Sequence, residues 1–288
     1  MPPTPGPPPV PPVPGEPAYT QERIASLLAT RRFGRTLRFL DVTPSTQRVA
    51  MELAASGAPE GALVLAQEQT AGVGRRGRSW HSARGLGIWL SLVLRPPVPS
   101  SRCLALSTWA GLAVLDTLRA RRLDGGAAGL KWPNDIVAGG RKLGGMLIDA
   151  RGSGRELSYA VLGLGLNTGH GESDFPDDLA GAATSVRMIT GEAPDRAALL
   201  ADLLLELERG YGRALSEDGS AELAARAGRA SVLMGRRVRV SGEGVDIEGE
   251  ALRVDADGAL VVKDGRTGGE VRVTAADVEA VETREEKA

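Results

Sequence analysis

Between Gly72 and Trp80 the chain reads Gly-Val-Gly-Arg-Arg-Gly-Arg-Ser-Trp. Glycines let a backbone approach a ligand closely, and Arg75, Arg76 and Arg78 offer forked donors to a phosphate or a carboxylate. Successive exposed N–H groups would add to such an anion-binding field, and Trp80 offers a flat face to a base or cofactor ring. The letters also satisfy two nucleotide-binding spacings. Gly72, Gly74 and Gly77 fit the dinucleotide fingerprint, and Gly72 to Ser79 fits a P-loop with Arg78 in place of lysine. Both motifs need a helix to open directly after the glycines. Here the next segment is strand-like (Ile88, Trp89, Leu90, Leu92, Val93, Leu94), so both are excluded by context. The plain alternative is a solvated basic loop. A tryptophan at its end, followed by an apolar strand, speaks against that.

Three further stretches carry polar groups on apolar frames. Leu130-Lys-Trp-Pro-Asn-Asp-Ile136 reads as strand-turn-strand, with Lys131, Asn134 and Asp135 around a proline-fixed turn. Lysine there is a compact point charge for a carboxylate or phosphate. Arg141-Lys142-Leu-Gly144-Gly145 opens another strand with a second lysine, and Gly163-Leu-Gly165-Leu-Asn167 ends one with a lone amide. Each alone could be a polar turn or a strand cap; together with the arginine loop they describe an anion site.

In this combination the sequence resembles the biotin protein ligases, specifically the single-function bacterial type. The motifs are Ser45-Thr46 opening a helix, Gln67, the glycine–arginine loop, Lys131 to Asp135, Lys142 with Gly144-Gly145, and Gly163 to Asn167. The resemblance covers roughly residues 41–225, with a weaker match beyond. It implies ATP-dependent formation of biotinyl-5′-AMP, then transfer of biotin to a lysine of a biotin carboxyl carrier protein or domain of acetyl-CoA carboxylase, with Mg²⁺ accompanying ATP. By family position, Ser45, Thr46, Gln47 and Gln67 would hold the ureido ring, with Gly145 and Gly165 also at biotin. Val73, Gly74 and Arg75 would cover biotin and the adenylate. Lys131 would bridge carboxylate and α-phosphate, making Lys131 and Arg75 the catalytic pair. Arg76, Arg78, Trp80, Asn134, Lys142 and Asn167 would serve ATP and the adenylate. The metal ligands are not assigned. Two positions depart from the pattern: Val73 stands where many members carry arginine, and Gln47 where asparagine is usual. The rival readings are lipoate or octanoate attachment on a related core, disfavoured by polar residues where an aliphatic acyl chain would lie, and a non-catalytic nucleic-acid or partner-binding module.

The elements that must position these groups are mixed. With 288 residues and 42% hydrophobic content, the chain can bury a sizeable core. Lys plus Arg number 35 against 36 Asp plus Glu, which argues against a surface given over to nucleic acid. One cysteine (Cys103) and two histidines (His81, His170) exclude an internal disulfide and a thiolate zinc site. Residues 1–17 hold ten prolines and no Lys or Arg, so 1–18 reads as a disordered polyproline-type tail, not a signal peptide. No apolar run reaches the about 18 residues of a membrane span, so a cytoplasmic setting is expected. The residues before Asp41 are too few for a helix-turn-helix domain, so DNA binding is not expected.

Thr20 caps a short helix. Strands are expected at 37–40, 62–66 and 86–94, and around 135–137, 143–149 and 157–164. Helices are expected from Ser45 or Thr46 to Ala55, over 104–123, and from Asp195 to about Leu215. That alternation indicates an α+β (α/β mixed) catalytic domain over 19–228, like the class II aminoacyl-tRNA synthetase core by resemblance. Short strands at 237–240, 247–254, 259–263 and 270–273, separated by Gly-rich turns, indicate a small all-β barrel over 229–283, by resemblance of the Src-homology-3 type, before a charged tail at 284–288.

Overall fold

Strand periodicity and helix caps place the elements where the residue types demand. The computed structural model describes residues 19–99, 102–153, 156–242 and 244–281; the proline-rich 1–18 and the charged 284–288 lie outside the described residues. Thr20 caps α1 (Gln21–Leu27) through its hydroxyl, and Asp195 caps α5 (Arg196–Leu215) through its carboxylate. Between them come β1 (Leu37–Thr43), α2 (Thr46–Ala55), β2 (Leu63–Gln69), β3 (Gly87–Leu94), α3 (Cys103–Ala120), β4 (Ala128–Lys131), β5 (Asp135–Ala138), β6 (Arg141–Ser153), β7 (Glu156–Asn167) and α4 (Val186–Thr190). After α5 follow α6 (Glu217–Ala230), β8 (Arg237–Gly242), β9 (Val245–Val254), β10 (Leu260–Asp264), β11 (Glu270–Val273) and β12 (Asp277–Ala280).

The first seven strands form one mixed sheet in the order β1-β2-β3-β7-β6-β5-β4, parallel only between β1 and β2. Its two faces differ because side chains alternate along a strand. Leu63 and Leu65 of β2, Leu90 and Leu92 of β3, and Leu162, Leu164 and Leu166 of β7 point to one face, where α3 and α5 complete the main core. The opposite face is covered by α2 only in part, through Ala50 and Ala54 against Val64, Val93 and Val161. The rest of that face is open, and there the register aligns Ser91 with Gly163, Gly163 with Leu147, and Gly145 with Gly165. Glycines at these positions leave the sheet without side chains and so create a hollow.

The last five strands form a separate antiparallel sheet in the order β11-β10-β9-β8-β12. It is joined to the main core through α6 and through Trp132, whose indole N–H donates to the Gly258 carbonyl at 2.9 Å in the β9–β10 turn. The sequence reading omits α4, α6 and β12, while its strand-turn-strand at Leu130 to Ile136 corresponds to β4 and β5. Gly219 and Gly228 obscure α6, because glycine weakens a helical pattern. Gly219 is required: a Cβ there would lie 1.9 Å from the Arg213 carbonyl at the α5–α6 junction. Among the described residues no helix is long and apolar enough to cross a membrane.

Candidate active site

The hollow on the open face of the main sheet is a cavity of about 370 Å³, within the range of small-molecule sites. Its floor is polar and uncharged. Ser45 is the N-cap of α2, yet its hydroxyl makes no capping bond and lines the cavity. Gln69 Oε1 accepts from both the Thr46 N–H (2.8 Å) and the Thr46 hydroxyl (3.0 Å). Its amide nitrogen donates to Ser82 Oγ at 2.8 Å. The Ser91 hydroxyl lies 2.9 Å from Thr46 Oγ1 and 3.0 Å from Gln47 Oε1, so its single proton bridges the two. Gln47 in turn donates to Asp149 Oδ2 (3.0 Å) and the Val161 carbonyl (3.1 Å). A chain of satisfied polar groups at the N-terminus of a helix suits a compact neutral group with its own carbonyl and N–H functions.

The opposite end is cationic. Lys131, the last residue of β4, lines the cavity and forms no ion pair among the described residues. Arg75 reaches Asn134 Oδ1 at 3.4 Å, and Asn134 is fixed to β6 through Met146, donating to its carbonyl at 2.6 Å and accepting from its N–H at 2.9 Å. Burial, and then the charge of Arg76, hold the Arg75 guanidinium below its usual pKa. Lys142 pairs with Asp135 at 2.7 Å, and its ammonium sits 5.2 Å from the centre of the Trp80 ring.

Trp80 forms one wall. A Cβ on Gly165 would come within 2.4 Å of its indole, and one on Gly145 within 3.2 Å, so these two glycines are the seat of the ring. Farther along, Asn167 lines the cavity and donates to the Thr184 carbonyl (3.1 Å) and more weakly to that of Lys142 (3.5 Å). His81 and Phe175 complete this end. The loop carrying Val73, Gly74, Arg75 and Arg78 is closed by Trp80 N–H to the Gly72 carbonyl (2.9 Å) and Gly74 N–H to that of Arg78 (2.7 Å). Val73 is exposed at the cavity mouth, 48% accessible.

Two residues expected in the site are elsewhere. Gln67 shares strand parity with Leu63 and Leu65 and so points to the helical face, where it donates to the Tyr19 carbonyl (3.0 Å) and accepts from Arg196 (3.3 Å). Gln69, past the last β2–β3 pair at Ala66 and Trp89, takes its place in the cavity. Arg76 adopts the left-handed region (φ 56°) and does not line the cavity; its guanidinium instead pairs with Asp277 of β12, which stands at the cavity rim. Every other expected site residue lines the one cavity. Ser91 and Gln69 were missed; Ser91, out of phase with Leu90 and Leu92, carried a parity signal, whereas Gln69 has the parity of Gln67 and is set apart only by the end of the β2–β3 ladder.

The known proteins fit this geometry. A model of the biotin/lipoate A/B protein ligase family matches residues 39–167. A biotin–[acetyl-CoA-carboxylase] ligase of Mycobacterium tuberculosis is 38% identical over 214 residues, 72% of this chain and 76% of the relative, and the chain belongs to the biotin protein ligase family. The bifunctional ligase/repressor BirA of Bacillus subtilis is 40% identical over 184 residues, 64% of this chain; the match spans 56% of that relative, about half its length. The biotin protein ligase of Aquifex aeolicus, solved with biotin and ATP, covers 86% of this chain and 100% of its own at a TM-score of 0.72 and 24% identity, a likeness of fold.

Replacing Gly165 by Ala puts a methyl group into the Trp80 ring. Overpacking of that kind costs about 1–3 kcal/mol of stability, so the melting temperature should fall by several degrees. Thermal melts of parent and variant check this, and an unchanged melting temperature contradicts the seat.

His170 is fully buried, stacked on Phe175 at 4.5 Å, with neither ring nitrogen bonded among the described residues. Burial, and then the neighbouring His81, lower its pKa from 6.5 to about 4, against a smaller opposing pull from Asp174. The unfolded chain takes up this proton first as pH falls, so stability is full above pH 6.5 and declines toward pH 4. From pH 6.5 to 5 the loss amounts to about 2 kcal/mol, and His170→Phe should remove that part of the decline in thermal melts. An equally steep decline in the variant contradicts the assignment.

Proposed function

We propose that the chain is an ATP-dependent biotin protein ligase. The biotin carboxylate attacks the α-phosphate of ATP, forming biotinyl-5′-AMP and releasing pyrophosphate. The amine of a carrier lysine then attacks the mixed anhydride and releases AMP. The observation that carries this reading is a single cavity with an uncharged polar floor at one end and an unpaired lysine among arginines at the other. A ureido ring has one carbonyl and two N–H groups, which suits Ser45, Thr46, Gln69 and the groups behind them. An aliphatic lipoyl or octanoyl chain would offer no partner to the Ser45 hydroxyl, which makes no capping bond, and would displace water from the polar floor without replacing its hydrogen bonds.

The charge pattern follows from the chemistry. Carboxylate and triphosphate repel one another, and a fixed cation between them is stabilising where water is excluded. Lys131 occupies that place, with Arg75 held ready by Asn134, and Arg78 and Lys142 at the rim. Trp80 flanks the adenine, and Asn167 Oδ1 accepts from its exocyclic amine. Among the described residues no three His, Cys, Asp or Glu side chains cluster to hold a resident metal. Asp135, at the cavity, fits a Mg²⁺ that arrives on the triphosphate with its own waters, where it would neutralise phosphate charge.

The carrier is a biotin carboxyl carrier protein or domain of acetyl-CoA carboxylase, in keeping with the name of the mycobacterial relative, and the setting is cytoplasmic. The catalytic domain spans 19–228 and is of the class II aminoacyl-tRNA synthetase type; 229–283 is a barrel of the Src-homology-3 type. The mixed sheet with its open glycine-floored face and the separate five-stranded antiparallel sheet support that division.

Biotin-dependent pyrophosphate release from ATP tests the reading. The protein should show it, and Lys131→Ala should lower it about 100-fold or more, the usual loss when a preorganised charge at the reacting centre is removed. Near-normal release by the variant takes Lys131 out of the mechanism, and no release by the parent protein contradicts the ligase reading.

A further inference from the structure

One carboxylate at the cavity rim is shared by two arginines of the glycine-rich loop. Asp277, the first residue of β12, lines the cavity and accepts through Oδ2 from Arg76 (3.0 Å) and from Arg78. The two partners differ. Arg76 lies outside the cavity, wedged beneath Gly242 at the end of β8, where a Cβ would come within 2.7 Å of its guanidinium. Arg78 lines the cavity, and its side chain is 63% exposed. Arg76, with its side chain 33% exposed, is the more enclosed of the two, and Arg78 is the one placed to swing toward the cavity. Burial raises the Asp277 pKa, but the hydrogen bond from Arg78 and the charges of Arg78, Arg76 and Arg75 outweigh it, leaving the carboxyl below its ordinary value and ionised at neutral pH.

We propose that Asp277 is an internal counter-anion that Arg78 must leave in order to reach the triphosphate, so that a residue of the C-terminal sheet sets nucleotide affinity. This rests on the reading that an anionic nucleotide occupies the arginine end of the cavity. Arg76 remains on Asp277 as the anchor of the loop. Arg78 exchanges one anion for another, and the Asp277 charge opposes the incoming phosphates. When pyrophosphate departs, Arg78 returns to Asp277, which eases release. Asp277 is a positioning residue; it acts through Arg78. The floor of the cavity, at Ser45, Thr46 and Gln69, is held by bonds that do not involve Asp277, so biotin affinity is independent of it.

The experiment is titration calorimetry on the full chain with α,β-methylene ATP, which cannot react at the α-phosphate, in the presence of biotin, and with biotin alone, comparing the parent with Asp277→Asn and Asp277→Glu. Exposed ion pairs contribute little to stability, so both variants fold. Removing one negative charge near the phosphates should tighten the analogue about three- to tenfold at low salt, less as salt is raised, while biotin binding stays within about twofold. Asp277→Glu should keep the parent affinities. Analogue affinity unchanged or weakened in Asp277→Asn, or analogue and biotin affinities moving together, overturns the proposal and leaves the ligase reading standing. A parent protein that binds neither the analogue nor ATP overturns both.

Discussion

In the proposed reaction two anions that repel each other must meet in one small cavity, and the charges of the site fit an arrangement around that repulsion. The cationic end cannot be built by crowding lysines and arginines, because they repel one another as well. The chain distributes them over separate elements: Lys131 ends β4, Lys142 sits in β6, and Arg75 and Arg78 ride on the loop after β2. Carboxylates and amides then restrain all of them but Lys131. Asn134 holds Arg75, Asp135 holds Lys142, and Asp277 holds Arg76 and Arg78. Neither Lys131 nor Arg75 has an ion-pair partner among the described residues, and Lys131 alone also lacks a side-chain hydrogen bond, which suits it to the central place the ligase reading gives it.

The cavity exists because of what the sheet omits. Gly145, Gly163 and Gly165 face it, while the leucines between them, Leu162, Leu164 and Leu166, fill the core on the other side. The same alternation thus supplies the hydrophobic stabilisation of one face and the binding volume of the other. Trp80 then lies on two of these glycines and Gln47 crosses the third, where a Cβ on Gly163 would meet its Oε1 at 2.6 Å. The C-terminal sheet is tied to this arrangement at both sides, by Trp132 on Gly258 and by Asp277 on the loop.

Much of this was legible in the sequence because the relevant signals are local. The strand after Gly85 ruled out a P-loop, and Thr20, Ser45 and Asp195 marked where helices begin. The turn from Lys131 to Asp135 proved to be a β4–β5 connection whose ends pair directly. What failed depended on tertiary parity. Gln67 and Gln69 read alike as letters, and only the position of the β2–β3 ladder decides which one enters the cavity. The left-handed backbone of Arg76 and its pairing with Asp277 are not announced by its own residue type. β12 has one buried apolar residue, Val278, so no periodicity identified it, although it delivers Asp277 to the rim.

The most direct test of the ligase account is the mass of a carrier domain. The purified protein is incubated with ATP, Mg²⁺, biotin and an apo biotin carboxyl carrier domain, and the carrier is then weighed by mass spectrometry. The account predicts a gain of one biotinyl group that disappears when ATP is omitted. No gain with biotin, or a gain with lipoate in its place, would contradict it.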